Sequence, residues 1–169
     1  MQDHKTHSRD FSIGFVVNHL GPNQTSYGVI KACNECLSKY NNISPSIYYV
    51  NQSIPCIKSI VPRYPSYEIR DHVGMIIATS VETALLIQQS YQPNRYKIFY
   101  IDDLHYLRNS LMLKSKYNDI MLDSDIVKIC RSQDHAKELM QLGYSIHNKT
   151  IPYIKIESFL EMLNGTEEI

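Results

Sequence analysis

Phe11-Ser12-Ile13-Gly14-Phe15-Val16-Val17, then Asn18-His19-Leu20-Gly21-Pro22-Asn23-Gln24-Thr25-Ser26-Tyr27, then Gly28 to Tyr40: the reading of this stretch decides the fold. The first run is short and mostly apolar, the second polar and turn-forming, and the third carries apolar residues at helical spacing. A buried strand, a loop at its carboxyl end and a helix returning across the sheet open a doubly wound α/β domain. In such sheets ligands lie outside the carboxyl ends of the strands, so Asn18 to Tyr27 is the first place to look for a site.

The same pattern recurs along the chain. Ile47-Tyr48-Tyr49-Val50 reads as a second strand, after Asn41-Asn42-Ile43-Ser44-Pro45 stops the helix. Asn51 to Pro65 carries three prolines and little periodicity, and reads as an extended crossing loop. His72 to Ala78, Lys97 to Ile101 and Ile126 to Cys130 are the next strands, followed by Thr150 to Lys155 and a closing helix over Glu157 to Asn164. Helices are expected over Val81 to Tyr91 and from Ser132 through Leu142, the latter closed by Gly143. About six strands alternating with helices predict a Rossmann-like, doubly wound, mostly parallel sheet covered on both faces. Residues 11–164 are read as one domain, with a flexible N-terminal segment over 1–10 and a tail over 165–169.

Composition narrows the partners. Seventeen basic residues balance seventeen acidic ones, so no net field favours nucleic acid as the main partner. The longest apolar run, Val73 to Ala78, is strand-sized, and the polar N-terminus has no secretory pattern, so a cytoplasmic protein without a membrane span is expected. Cys33-x-x-Cys36 lies more than one turn inside its helix, alternating with Val29, Ile30, Leu37 and Tyr40. That favours a buried place in the core over a redox pair, and no second close pair completes a zinc site. Asp123-Ser124-Asp125 precedes its strand and reads as a turn at the amino edge, so no metal site is assigned. No cofactor is expected: no Gly-x-Gly-x-x-Gly follows the first strand, no Walker loop occurs, and Gly-x-Ser-x-Gly is absent.

The candidate site residues stand at expected carboxyl strand ends. Asn18, His19 and Gly21 follow the first strand. Thr79 and Ser80 end the third and open a helix, a place for an anion or a sugar hydroxyl as well as for an ordinary N-cap. Asp102 and Asp103 end the fourth, where a general base or metal ligand would sit, although Asp103 also suits a helix N-cap. His105 follows at the same edge. Arg131 and His135 flank the start of the helix after the fifth strand.

Asp125-Ile126-Val127-Lys128-Ile129-Cys130-Arg131-Ser132-Gln133-Asp134-His135 through Leu142-Gly143-Tyr144, followed by Ile151-Pro152, is similar to the stretch that ends the N-terminal lobe of GT-B glycosyltransferases. With Ser26 to Leu37 and Phe99 to Leu104, the chain further resembles small glycosyltransferase-like proteins of T4-like marine phages, over roughly Phe11 to Leu163. The resemblance implies glycosyl transfer from a nucleotide sugar to a hydroxyl acceptor, and host cytoplasm as the location. Asp102, Asp103 or His19 would then act as base. Asn18, Gly21, Thr79, Ser80, His105, Arg131 and His135 would bind substrate, with Arg131 offsetting phosphate charge. The chain ends where a GT-B donor lobe would begin, and no Glu-x7-Glu pair occurs. The resemblance therefore implies the acceptor-side half, with a partner subunit supplying a donor lobe, a donor pocket of its own, or lost catalysis. A non-catalytic binding or assembly module, meeting its partner through a tyrosine-rich surface, is the alternative: the chain has thirteen tyrosines and no tryptophan.

Overall fold

Six strands, β1 (Phe11–His19), β2 (Ile43–Asn51), β3 (Arg63–Pro65), β4 (Met75–Ala78), β5 (Tyr96–Ile101) and β6 (Ile126–Cys130), pair in the order β3-β2-β1-β4-β5-β6. Every pairing is parallel. The computed structural model describes residues 11–90, 96–105 and 111–164. Helices α1 (Gln24–Lys39), α2 (Val81–Gln89), α3 (Leu111–Leu122), α4 (Gln133–Gln141) and α5 (Ile156–Asn164) connect or follow the strands. The chain thus has the Rossmann-like, doubly wound α/β architecture. Residues 1–10 and 165–169 lie outside the described residues, and so does most of the helix expected after Asp103.

The two faces of the sheet follow from strand alternation. Ile13, Phe15 and Val17 of β1, Met75 and Ile77 of β4, and Ile98 and Tyr100 of β5 point to the face covered by α1 and α5. There they meet Val29, Ile30, Cys33 and Cys36 from α1 and Ile156, Phe159 and Met162 from α5. Val16, Ile76, Ala78, Phe99 and Ile101 point the other way, onto Val81, Ala84 and Ile87 of α2, Tyr117, Ile120 and Met121 of α3, and Ala136 and Leu139 of α4. Cys33 and Cys36 are buried free thiols, as their helical spacing predicts. Among the described residues no helix is long and apolar enough to cross a membrane.

Several elements and boundaries differ from the sequence reading. Helix α1 begins at Gln24, four residues ahead of Gly28, because Asn23 is its N-cap and accepts from the Ser26 amide at 2.8 Å. Strand β2 begins at Ile43 and runs through Pro45. The short β3 pairs only with Ile47–Tyr49, so the proline lies where no second strand needs its missing N–H. The sixth strand comes from Arg63–Pro65, inside the stretch read as loop. Thr150 to Lys155 forms no strand: His147 and Ile151 donate to the Lys128 and Cys130 carbonyls at 2.9 and 3.0 Å, and β6 itself ends at Cys130. Asp123 to Asp125 is the expected turn, with the Asp125 amide donating to Asp123 Oδ1 at 2.9 Å.

Strand β4 starts after Gly74, which has φ +117°. A Cβ there would stand 2.3 Å from the Ser12 carbonyl oxygen, so both the backbone conformation and its close approach to β1 require glycine. Gly74→Ala should lower unfolding free energy by about 2–4 kcal/mol, measured by urea denaturation. A second expectation concerns pH. Burial pushes the Cys130 thiol from its ordinary 9.0 up to about 12, and Cys33 shifts the same way. A thiol whose folded pKa is raised leaves stability intact below pH 9 and erodes it as pH climbs, because the unfolded chain ionises first. Urea midpoints should fall above pH 9, and Cys130→Ala should make that slope shallower by about 1.4 kcal/mol per pH unit.

Candidate functional site

Strand order reverses at β1, whose neighbours are β2 on one side and β4 on the other. Just beyond its carboxyl end a cleft of about 190 Å³ opens, and Asn18, His19, Thr79, Ser80, Asp102, Asp103 and His105 all line it. Seven of the ten residues singled out by sequence therefore meet in one place, contributed by three separate strand ends.

The floor is built from helix caps. Ser80 caps α2: its side chain accepts from the Thr83 amide at 3.2 Å, while Thr83 Oγ1 accepts from the Ser80 amide at 2.9 Å. Thr79 is buried and donates from Oγ1 to the Val16 carbonyl at 2.9 Å. On the facing side, Asn23 caps α1 and donates to Ser26 Oγ at 2.9 Å. Ser26 in turn bonds the His19 carbonyl. Asn23 also lies 3.3 Å from His19 Nδ1, so the α1 cap holds the histidine ring. Two helix N-termini thus open onto the same cleft.

Asn18 is the link between the sides. It accepts from Ser80 Oγ at 3.2 Å and donates to Glu82 at 3.4 Å. Glu82, in the first turn of α2, has its carboxyl held below the ordinary range. Burial works against ionisation there, but hydrogen bonds from its own amide, Ser80 and Asn18 outweigh it, and His105 adds to them. On the rim Asp103 accepts from the His105 amide at 3.0 Å and hydrogen-bonds the ring through His105 Nδ1. With Nδ1 bound to the carboxylate, the basic lone pair of a neutral His105 ring is on Nε2.

Arg131 stands one step away. Its guanidinium pairs with Asp102 at 3.0 Å, tying the end of β5 to the end of β6. The pair faces a larger groove of about 830 Å³ that runs between α1 and the segment leading into α5, and Asp102 and Thr25 line both spaces. Gly21 and His135 are not brought to the cleft. Gly21 is buried behind the loop, where a Cβ would stand 3.2 Å from both His19 Nδ1 and Ser53 Oγ. The His135 amide donates to the α4 cap Ser132 at 3.2 Å. Its Nδ1 is buried with no hydrogen-bond partner among the described residues. No cluster of three or more His, Cys, Asp or Glu fit to hold a metal occurs among the described residues.

Asn23, Ser26 and Glu82 build the cleft's frame; the sequence reading placed Asn23 and Ser26 in the loop Asn18 to Tyr27 without assigning them a role, and passed over Glu82. Asn23-x-x-Ser26 was legible as a cap spacing, and Glu82 as an acid in a first helical turn. Compared with family models, curated proteins and solved structures, the chain matches none.

Removing the α1 cap tests this frame. Asn23→Ala should cost about 1–2 kcal/mol of stability in urea denaturation. The His19 ring resonances should shift in the NMR spectrum while those of His135 stay in place.

Proposed function

We propose that this chain is an acceptor-side, GT-B-like lobe that takes part in glycosyl transfer from a nucleotide sugar to a hydroxyl. The observation that carries this reading is the convergence of Asn18, His19, Ser80, Asp103 and His105 on one small cleft at the reversal of strand order. These groups are hydroxyls, amides, imidazoles and a carboxylate, which match the donor and acceptor pattern of sugar hydroxyls. Phosphate fits the cleft poorly. Glu82 and Asp103 bring negative charge, and the nearby guanidinium of Arg131 is already engaged by Asp102. The cleft therefore suits the acceptor, and the donor's phosphates would be held by a partner chain carrying a donor lobe.

In this reading His105, oriented by Asp103, is the base. The acceptor hydroxyl gives its proton to His105 Nε2, and its oxygen forms a bond to the anomeric carbon. The bond from that carbon to the leaving phosphate oxygen breaks, and the nucleotide diphosphate leaves with the electron pair. Asp102, committed to Arg131, positions the β5 and β6 ends. Asn18 and Ser80 orient the acceptor, and His19, held by Asn23, closes the side opposite Asp103.

The test is transfer or hydrolysis with a panel of nucleotide sugars, by the chain alone and together with candidate donor-lobe partners. Asp103→Asn and His105→Gln should each lower turnover by about 10²-fold while leaving the thermal midpoint in place. Turnover that survives both substitutions would remove the dyad from the reaction. Binding of sugars without any turnover would favour the non-catalytic module.

A further inference from the structure

The larger groove has a different chemistry from the cleft. One stripe of α1, Gln24, Gly28, Lys31, Glu35 and Lys39, forms its first wall. Those residues recur every three or four positions, so they share one face over the whole helix. Its 16 residues are about 24 Å long at 1.5 Å per residue. The segment from Pro152 to Glu161 forms the other wall, and Tyr100 and the Asp102–Arg131 pair stand at the end nearest the cleft. At Gly28 the walls stand close: a Cβ there would be in van der Waals contact with Ile154 at 3.6 Å.

Three features select the occupant. The lining carries four basic and four acidic side chains, and most are matched within the protein: Lys31 with Glu35 at 3.9 Å, Lys39 with Glu157 at 3.4 Å, and Arg131 with Asp102 at 3.0 Å. Such a surface offers many hydrogen-bonding groups and no net field for a polyanion. Two tyrosines, Tyr27 on the α1 side and Tyr153 on the other, line the groove and are 44% and 71% exposed. Exposed tyrosine rings offer flat apolar faces with a polar tip, and the C–H faces of a pyranose pack on such surfaces. Finally, α1 and the start of α5 satisfy their own backbone groups and Pro152 to Lys155 forms no strand, so the described residues of the walls present no strand edge on which a peptide could add.

We propose that this groove binds an extended, neutral oligosaccharide, stacked on Tyr27 and Tyr153, whose end reaches the cleft past Thr25 and Asp102. The direction of the chain rests on the acceptor reading given above; the binding does not. The acceptor would then be a growing glycan rather than a single sugar.

The experiment uses the full chain and neutral tetra- to hexasaccharides of the malto, cello, xylo and chito series, each against its monosaccharide. Binding is followed by NMR on tyrosine ring resonances assigned through the variants. At least one oligosaccharide should shift both the Tyr27 and the Tyr153 rings, while its monosaccharide at equal concentration does not. Tyr27→Ala and Tyr153→Ala should each weaken that oligosaccharide by about five- to tenfold, with Tyr67→Ala, exposed at the far edge of the sheet, without effect. If no oligosaccharide of the panel shifts either ring, or if a nucleotide or a peptide does so instead, the proposal falls. Binding at both tyrosines without transfer would uphold the groove and overturn the transferase reading. Transfer to the oligosaccharides at rates unchanged in Tyr27→Ala and Tyr153→Ala would do the reverse.

Discussion

The carboxyl end of β1 is where the structure is decided. Its two neighbours leave in opposite directions, one toward β2 and β3 and the other toward β4, β5 and β6. Side chains at the entries to α1 and α2 then take up its carbonyls: Thr79 Oγ1, just ahead of the α2 cap, bonds the Val16 carbonyl, and Ser26 Oγ of α1 bonds that of His19. A buried carbonyl without a partner costs about 1–3 kcal/mol, so these hydroxyls are part of what lets the strand end beside an opening. The same two contacts dock the N-terminal turns of α1 and α2 against β1, and the cleft is the space they leave between them.

Seen from that point, the cap residues serve stability and site geometry at once. Asn23 completes α1 and steadies His19; Ser80 completes α2 and steadies Asn18. A polar group at such a cap is held on a rigid element and not on a long loop, which keeps its orientation fixed before any ligand arrives. Asp102 and Arg131 do the same for the outer strands, since the ion pair joins β5 to β6 at the one edge where ligands enter. Their partial burial makes the pair less open to screening than a surface bridge, yet its larger contribution is to geometry.

The architecture was legible because β1, β4, β5 and β6 are dense apolar runs, each closed by polar or turn-forming residues. The convergence of Asn18, Thr79, Ser80 and Asp102 followed from that alone, since parallel strands bring all their carboxyl ends to one edge. What escaped was whatever lacks a run. β3 has three residues, Arg63, Tyr64 and Pro65, and holds its place by pairing with Ile47–Tyr49 rather than by any pattern of its own. Thr150 to Lys155 has the composition of a strand, but Ile151 meets β6 at the Cys130 carbonyl, the residue on which that strand ends, so no ladder is left for it to join. The start of α1 was hidden for the opposite reason. Gln24 to Tyr27 is polar because Gln24 and Tyr27 face the groove while Thr25 and Ser26 line the cleft, and a helix turn that faces solvent on one side shows no apolar signal.

Charge balance explains how one protein can carry two spaces of unlike character side by side. Seventeen basic and seventeen acidic residues give no overall field, so any preference for a ligand must come from how charges are paired locally. Along the groove Lys31, Lys39 and Arg131 are paired with neighbouring carboxylates, and Glu157 shows the effect. A hydrogen bond from its own amide holds its carboxyl below the ordinary range against the upward pull of burial, and Lys39 and Tyr40 reinforce it. In the cleft the balance tips the other way. Glu82 stays ionised behind Asn18, Asp103 stands on the rim, and the nearest guanidinium is turned toward Asp102. A phosphate entering there would meet like charge, whereas a hydroxyl would find acceptors already aimed at it. Asp102 lines both spaces, and its pairing with Arg131 holds the guanidinium on the groove side, so Asp103 and Glu82 remain the charges nearest the cleft's polar groups.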